Sequence, residues 1–145
     1  MVRRELGNYI SILHRHKQRY INQQMKKDGL GYAGYNFLLY IEKHEGCSQK
    51  DICRHLAIDE ALATRKVNQM VAGQYLRRQR EGRGYALYLD EHGRDILPTL
   101  DRLLDRWWVH VLGDMPETEV ESFRRQLEQM ADRAMEMTTG DEENT

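Results

Sequence analysis

A mainly α-helical fold with one short β-hairpin is what this sequence predicts, and three observations predict it. Apolar residues recur at three- and four-residue intervals through most of the chain, as in "VRRELGNYISILHRHKQRY". Strict alternation occurs in "YALYLD" (85–90), where Tyr85, Leu87 and Leu89 alternate with Ala86 and Tyr88. Between that run and "YLRRQRE" (75–81) stands Gly82-Arg83-Gly84, whose glycines permit the backbone of a tight hairpin with Arg83 at its tip. Hydrophobic residues make up 40% and charged residues 31% of the 145, a balance that suits solvated helical faces. The length is one domain's worth, enough for a core without disulfides.

Each element has a local reason. Leu6, Tyr9, Ile10, Leu13 and Tyr20 stripe a long first helix that Asp28-Gly29 and Gly31 end. "YAGYNFLLYIEKHEG" (32–46) is apolar nearly all round, which makes it the buried central helix, closed by Gly46. Ser48 with Asp51 is a variant capping box opening a short helix that buries Ile52 and Leu56. Asp59 then caps "EALATRKVNQMVAG", whose inward stripe is Ala63, Val67 and Met70 and whose end is Gly73. After the hairpin, Ile96, Leu100, Leu103, Leu104, Trp107 and Val111 mark a helix that Pro98 is predicted to bend. Pro116 opens the last helix in a tolerated first-turn position, with Val120, Phe123, Leu127, Met130 and Ala134 on one stripe.

Helix, helix, short helix, helix and basic hairpin is the order of a winged helix-turn-helix, in which one helix enters the major groove of DNA and the hairpin reaches an adjacent groove. The expected organisation is a single domain over 1–145: a DNA-binding lobe at 32–90, dimerisation helices at 1–27 and 91–138, and a disordered tail at 139–145. The terminal stripes exceed what so small a lobe can cover, which predicts a homodimer. The formal net charge is only -1 because a basic first helix and an acidic C-terminal third cancel. Local charge is what phosphates meet, and residues 61–85 hold six cations to one anion.

On the reading helix, burial of Ala63, Val67 and Met70 turns Ala61, Leu62, Arg65, Lys66 and Gln69 outward. Arginine presents two donors to guanine, glutamine pairs with adenine, and Ala61 or Leu62 can touch a thymine methyl. Lys66 and the wing arginines Arg77, Arg78 and Arg80 suit phosphates, which position without specifying, and Arg83 at the tip suits a groove or a phosphate.

The stretch "IDEALATRKVNQMVAGQYLRRQREGRGYALYLDEHG" resembles the core of the MarR family of bacterial transcription regulators, with Thr64-Arg65 in the reading helix and an acid-x-Arg element in the wing. The family usually has Asp-x-Arg where this chain has Glu81-Gly82-Arg83, the wing loop is shortened, and Asp90 stands where a threonine is usual. The resemblance implies a triangular homodimer joined by its terminal helices on a pseudo-palindromic operator, commonly with a small phenolic or anionic effector, and a repressor as the usual regulator. His14, Tyr20, Tyr35, Trp107 and Trp108, with His16 and His110 nearby in sequence, are the side chains for such a cleft, core packing being the alternative for each.

Other classes fit less well. No nucleophile–base pair, phosphate-cradling glycine loop or clustered carboxylate motif indicates an enzyme. His14 and His16 fall on different helical faces, so neither a metal site nor any cofactor is expected. Cys47 and Cys53 read as reduced thiols; redox sensing by Cys53 would need a lowered thiolate pKa from Arg54 and His55. A winged-helix module that binds protein instead of DNA is the remaining alternative. With no membrane-spanning run and no secretory apolar core, the expected location is cytoplasmic.

Overall fold

The apolar stripe of the N-terminal segment forms α1 (Val2–Gln24), followed by a 3₁₀ turn at Lys26–Asp28 that Gly29 closes with a left-handed φ of 63°. The computed structural model describes residues 2–139. It continues with α2 (Gly31–Lys43), α3 (Gln49–Leu56), α4 (Glu60–Ala72), β1 (Leu76–Glu81), β2 (Gly84–Leu89), α5 (Glu91–Leu112) and α6 (Glu117–Thr139). Two units are distinguishable, one ending at Asp105 and one beginning at Arg106.

In the first unit α2 is the central helix, as its composition predicts: Tyr32, Tyr35, Phe37, Leu38 and Ile41 are buried. Ile21 and Met25 of the first helical segment, Ile52 of α3, Ala63, Val67 and Met70 of α4, Leu76 and Leu87 of the hairpin, and Leu97 and Leu100 of α5 join the same core. The α5 stripe is rotated slightly from expectation, with Leu97 buried and Ile96 half-buried. At the start of α5, a β-carbon on Gly93 would sit 2.2 Å from the Tyr75 carbonyl oxygen, so this close helix-to-turn approach requires glycine.

The caps position the two helices of the turn. Ser48 Oγ accepts from the Asp51 N–H at 3.1 Å while Asp51 Oδ2 accepts from the Ser48 N–H at 3.0 Å, the reciprocal capping box. Asp59 Oδ1 accepts from the Ala61 and Leu62 amides at the start of α4. The helix ends differ from expectation. Gly46 does not close α2, which stops at Lys43; with φ 88° it turns the chain so that its N–H bonds Leu87 O at 2.8 Å and Cys47 bridges Leu87. At the end of α4 the left-handed residue is Gln74 (φ 63°), not Gly73. Tyr75 N–H bonds Met70 O and Gln74 N–H bonds Val71 O, the paired bonds of a Schellman motif. A β-carbon at Gly73 would stand 3.1 Å from the Tyr75 ring, a tight contact that the ring would have to shift to admit.

The hairpin register pairs Leu76 with Leu89, Arg78 with Leu87, Arg80 with Tyr85 and Glu81 with Gly84, leaving a two-residue loop. Gly82 alone has positive φ, 59°, the pattern of a type II′ turn with glycine first; Gly84 does not use its freedom. The predicted alternation holds for Leu87 and Leu89, while Tyr85 near the tip is exposed and Ala86 is buried. Helix α5 runs through Pro98 without interruption. In the second unit Pro116 precedes α6, accepting its first amide bonds, and Arg124 pairs with Glu121 and Glu128 at 2.9 and 2.8 Å on the solvent face. Thr139 closes α6 instead of opening the tail, and the rest of the predicted tail lies outside the described residues.

Candidate nucleic-acid interface

Burial of Ala63, Val67 and Met70 settles which face of α4 is available. Ala61, Leu62, Arg65 and Gln69 are all exposed, Leu62 by 41%. Lys66 is the exception, lying half-buried with its stem over α2, where its Cε is 3.1 Å from a β-carbon built on Gly34. Desolvation lowers the Lys66 pKa, and its Nζ donates to Gln69 Oε1 at 3.3 Å. Gln69 must therefore turn its carbonyl away from Lys66 to pair with adenine through both polar atoms.

Two further residues belong to this face. Asn68 lies three positions after Arg65 and is bonded by Arg78 Nη2 of β1, which ties the reading helix to the wing. Thr64 Oγ1 donates to Glu60 O and accepts from Gln49 Nε2, each at 2.8 Å, locking α4 to the start of α3. Sequence reasoning passed over Asn68, although i, i+3 spacing from Arg65 marks it.

The four wing arginines are exposed and distributed by the pleat. Directly opposed residues share a face, so Arg78 and Arg80 stand on the side of Leu87, towards α4, and Arg77 stands with Tyr88 on the other. Arg83 occupies the second position of the turn, at the tip. Glu81, the acid of the wing's acid-x-Arg element, accepts from the Tyr88 hydroxyl at 2.9 Å. The Arg77 guanidinium lies 4.4 Å from the Tyr88 ring centroid and donates to Gln79 Oε1 at 3.1 Å. Cations thus reach both faces and the end of one hairpin beside a polar helix face, an arrangement suited to a groove flanked by phosphates.

The residues predicted for an effector cleft fall in both units. In the first, Tyr32, absent from the predicted set, is the link: its hydroxyl is 3.4 Å from His14 Nδ1 and its ring 5.6 Å from that of buried Tyr35. Burial, with Tyr32 and Asp101 nearby, raises the Tyr35 phenol pKa. Tyr20 packs against the core. In the second unit Trp107 is half-buried and Trp108 lines an apolar groove of about 350 Å³ with Leu112, Val120, Phe123 and Leu127. The cysteines lack the electrostatics of a redox sensor. Burial pushes Cys47 up to about 11 and raises Cys53, where Glu60 and Asp59 add to the effect.

Residues 28–84, from the turn before α2 to the hairpin loop, match the model of the MarR family. The solved structure of a MarR transcriptional regulator from Methanosarcina mazei Go1 superposes with a TM-score of 0.83 at 25% identity, over 91% of this chain and 90% of that one. The chain has the MarR-type winged helix-turn-helix fold, and its residues 28–84 carry the family match. The likeness extends to the HTH-type transcriptional regulator BilQ of Clostridioides difficile (strain CD3), 22% identical over 88% of each chain. BilQ of Clostridium symbiosum (strain WAL-14163) is 25% identical over 77% of this chain and 79% of its own. A MarR family regulator from Listeria monocytogenes, solved in complex with a 26mer DNA, shares the fold with a TM-score of 0.78 at 18% identity, covering 92% of this chain and 93% of that one. MarR-family proteins are transcription regulators and not enzymes. No described helix of this chain is long and apolar enough to cross a membrane.

Proposed function

We propose that this chain binds double-stranded DNA sequence-specifically as a homodimer on a pseudo-palindromic operator, repressing by promoter occlusion until a small phenolic or anionic effector releases it. The observation that carries the reading is the polar face of α4, with Arg65, Asn68 and Gln69 exposed, tied through Arg78 to a wing that presents arginines on both faces. The DNA complex of the Listeria relative supports it. For the homodimer, the support is the α1 stripe of Leu6, Tyr9, Ile10 and Leu13, each between 41% and 61% exposed in the single chain. For an effector, the support is the His14–Tyr32–Tyr35 cluster, whose two phenols and imidazole suit an aromatic acid.

Selecting duplexes from a random pool and titrating them at several salt concentrations tests the reading. Enrichment of an inverted repeat, with affinity falling steeply as salt rises, is expected. No enrichment and no salt dependence would leave the protein-interaction module as the better account. An effector, if it acts by release, must bind the free dimer more tightly than the DNA complex by the same factor that it weakens operator binding. Benzoate-like compounds screened by thermal shift should include one that meets that equality.

A further inference from the structure

We propose that Tyr88 is a positioning residue for DNA binding, its ring holding the Arg77 guanidinium in place on the outer face of the wing and its hydroxyl anchored by Glu81. The inference rests on the DNA-binding reading above. Arg77 and Tyr88 are directly opposed in the hairpin, where cross-strand side chains stand closest. The guanidinium lies 4.4 Å from the ring centroid, within the range in which the ring's quadrupole attracts a cation. The hydroxyl end of the ring is itself held. It donates to Glu81 Oε1 at 2.9 Å and lies beside Gly46, where a β-carbon would stand 3.3 Å from the hydroxyl oxygen. A long, flexible arginine therefore loses little freedom when a phosphate arrives, because most of its ordering has already occurred.

The arrangement also explains what replaces a carboxylate–arginine pair in this wing. Glu81 is occupied by a neutral phenol, so no arginine donors are consumed by it, and those of Arg77 not given to Gln79 remain for an anion. Lysine at position 77 would keep the charge but forfeit the planar stack.

The test is an anisotropy titration of the full chain against its selected operator across a salt series, with Arg77→Ala, Arg77→Lys, Tyr88→Phe, Tyr88→Leu and the Arg77→Ala/Tyr88→Leu double variant. Losing the Arg77 contact should lower the magnitude of the log–log salt slope by about 0.9 per wing. Tyr88→Leu should weaken binding about 2- to 5-fold per wing, the equivalent of a surface cation–π contact, and move the slope the same way. Tyr88→Phe, keeping the platform without its anchor, should fall between, and Arg77→Lys should lose affinity with the slope unchanged. In the double variant Tyr88→Leu should add nothing to Arg77→Ala, which a merely structural role for Tyr88 would not produce. Fully additive losses, or a folded Tyr88→Leu chain with wild-type affinity and slope, would overturn the proposal. If circular dichroism shows that Tyr88→Leu unfolds, the same cycle with Tyr88→Phe decides by the same criteria. Wild-type protein that binds no duplex would overturn the DNA-binding reading and this inference together; normal wild-type binding with an uncoupled pair overturns this inference alone.

Discussion

Arg65 and Arg83 occupy different backbone settings, which assigns them different work. Arg65 projects from the middle of an outward helix face beside Asn68, whereas Arg83 sits at the second position of a two-residue turn with open solvent around it. Arg65→Ala is expected to cost about 1–3 kcal/mol in operator affinity and to relax preference at one position per half-site. Arg83→Ala should weaken binding to many sequences evenly and reduce the salt slope by about 0.9 per subunit. Titrating both variants against single-base operator changes checks the division; equal, sequence-blind losses would remove it. The cysteines make the opposite kind of prediction, one of inertness. With Cys47 near 11, about one molecule in a thousand carries the thiolate at pH 8, against roughly a quarter for a free thiol of pKa about 8.5. Iodoacetamide should modify the native protein on the order of a hundredfold more slowly at Cys47 than the urea-unfolded chain, and rapid native labelling would revive a redox role.

At the scale of elements, the short α3 depends on its cap more than on its length. Eight residues are too few to hold a helix by propensity alone, so the Ser48–Asp51 box and the burial of Ile52 and Cys53 define it. Hydrogen bonding from Ser48 holds the Asp51 carboxyl below the usual carboxylate range. A carboxyl lowered in the folded state binds protons more readily when unfolded. Its stabilisation is therefore complete above the unfolded pKa of about 4 and is lost as pH falls through the lower folded value. Thermal melts should show Asp51→Asn less stable than wild type by a constant margin above pH 5, the margin shrinking below pH 4. Ser48→Ala should cost about 1 kcal/mol near neutral pH, read from urea unfolding. Because Gln49 bonds Thr64, loosening this cap should also reach α4.

For the whole molecule the governing fact is apolar surface left exposed among the described residues of the single chain. Leu6, Tyr9, Ile10 and Leu13 on α1 are exposed, and so are Phe123, Leu127 and Met130 on α6. Each of these stripes has the spacing of a face built for burial, and a second copy of the chain is the partner proposed for them. Light scattering on a chain lacking residues 1–20 should show loss of the dimer or aggregation; a stable, soluble dimer after truncation would place the interface elsewhere.

The α-rich class, the order of the helices, the N-capping residues and, Lys66 apart, the exposed set on α4 were legible in sequence because each depends on periodicity or on residues within four positions of one another. Arg65, Gln69 and the arginine-bearing hairpin needed only the burial of Ala63, Val67 and Met70 to be placed. What the tertiary structure decided was every contact made across the chain. Gly46 reads as a helix stop, yet its positive φ serves a bridge to Leu87 forty residues on. Lys66 reads as a free phosphate contact, but α2 passes beneath its stem and half-buries it. Glu81 stands in the acid-x-Arg element of the sequence, and in the folded hairpin the hydroxyl of Tyr88, seven residues on, reaches its carboxylate. Local chemistry chose the elements, whereas the neighbours of each side chain came from packing between segments whose separation no local pattern encodes.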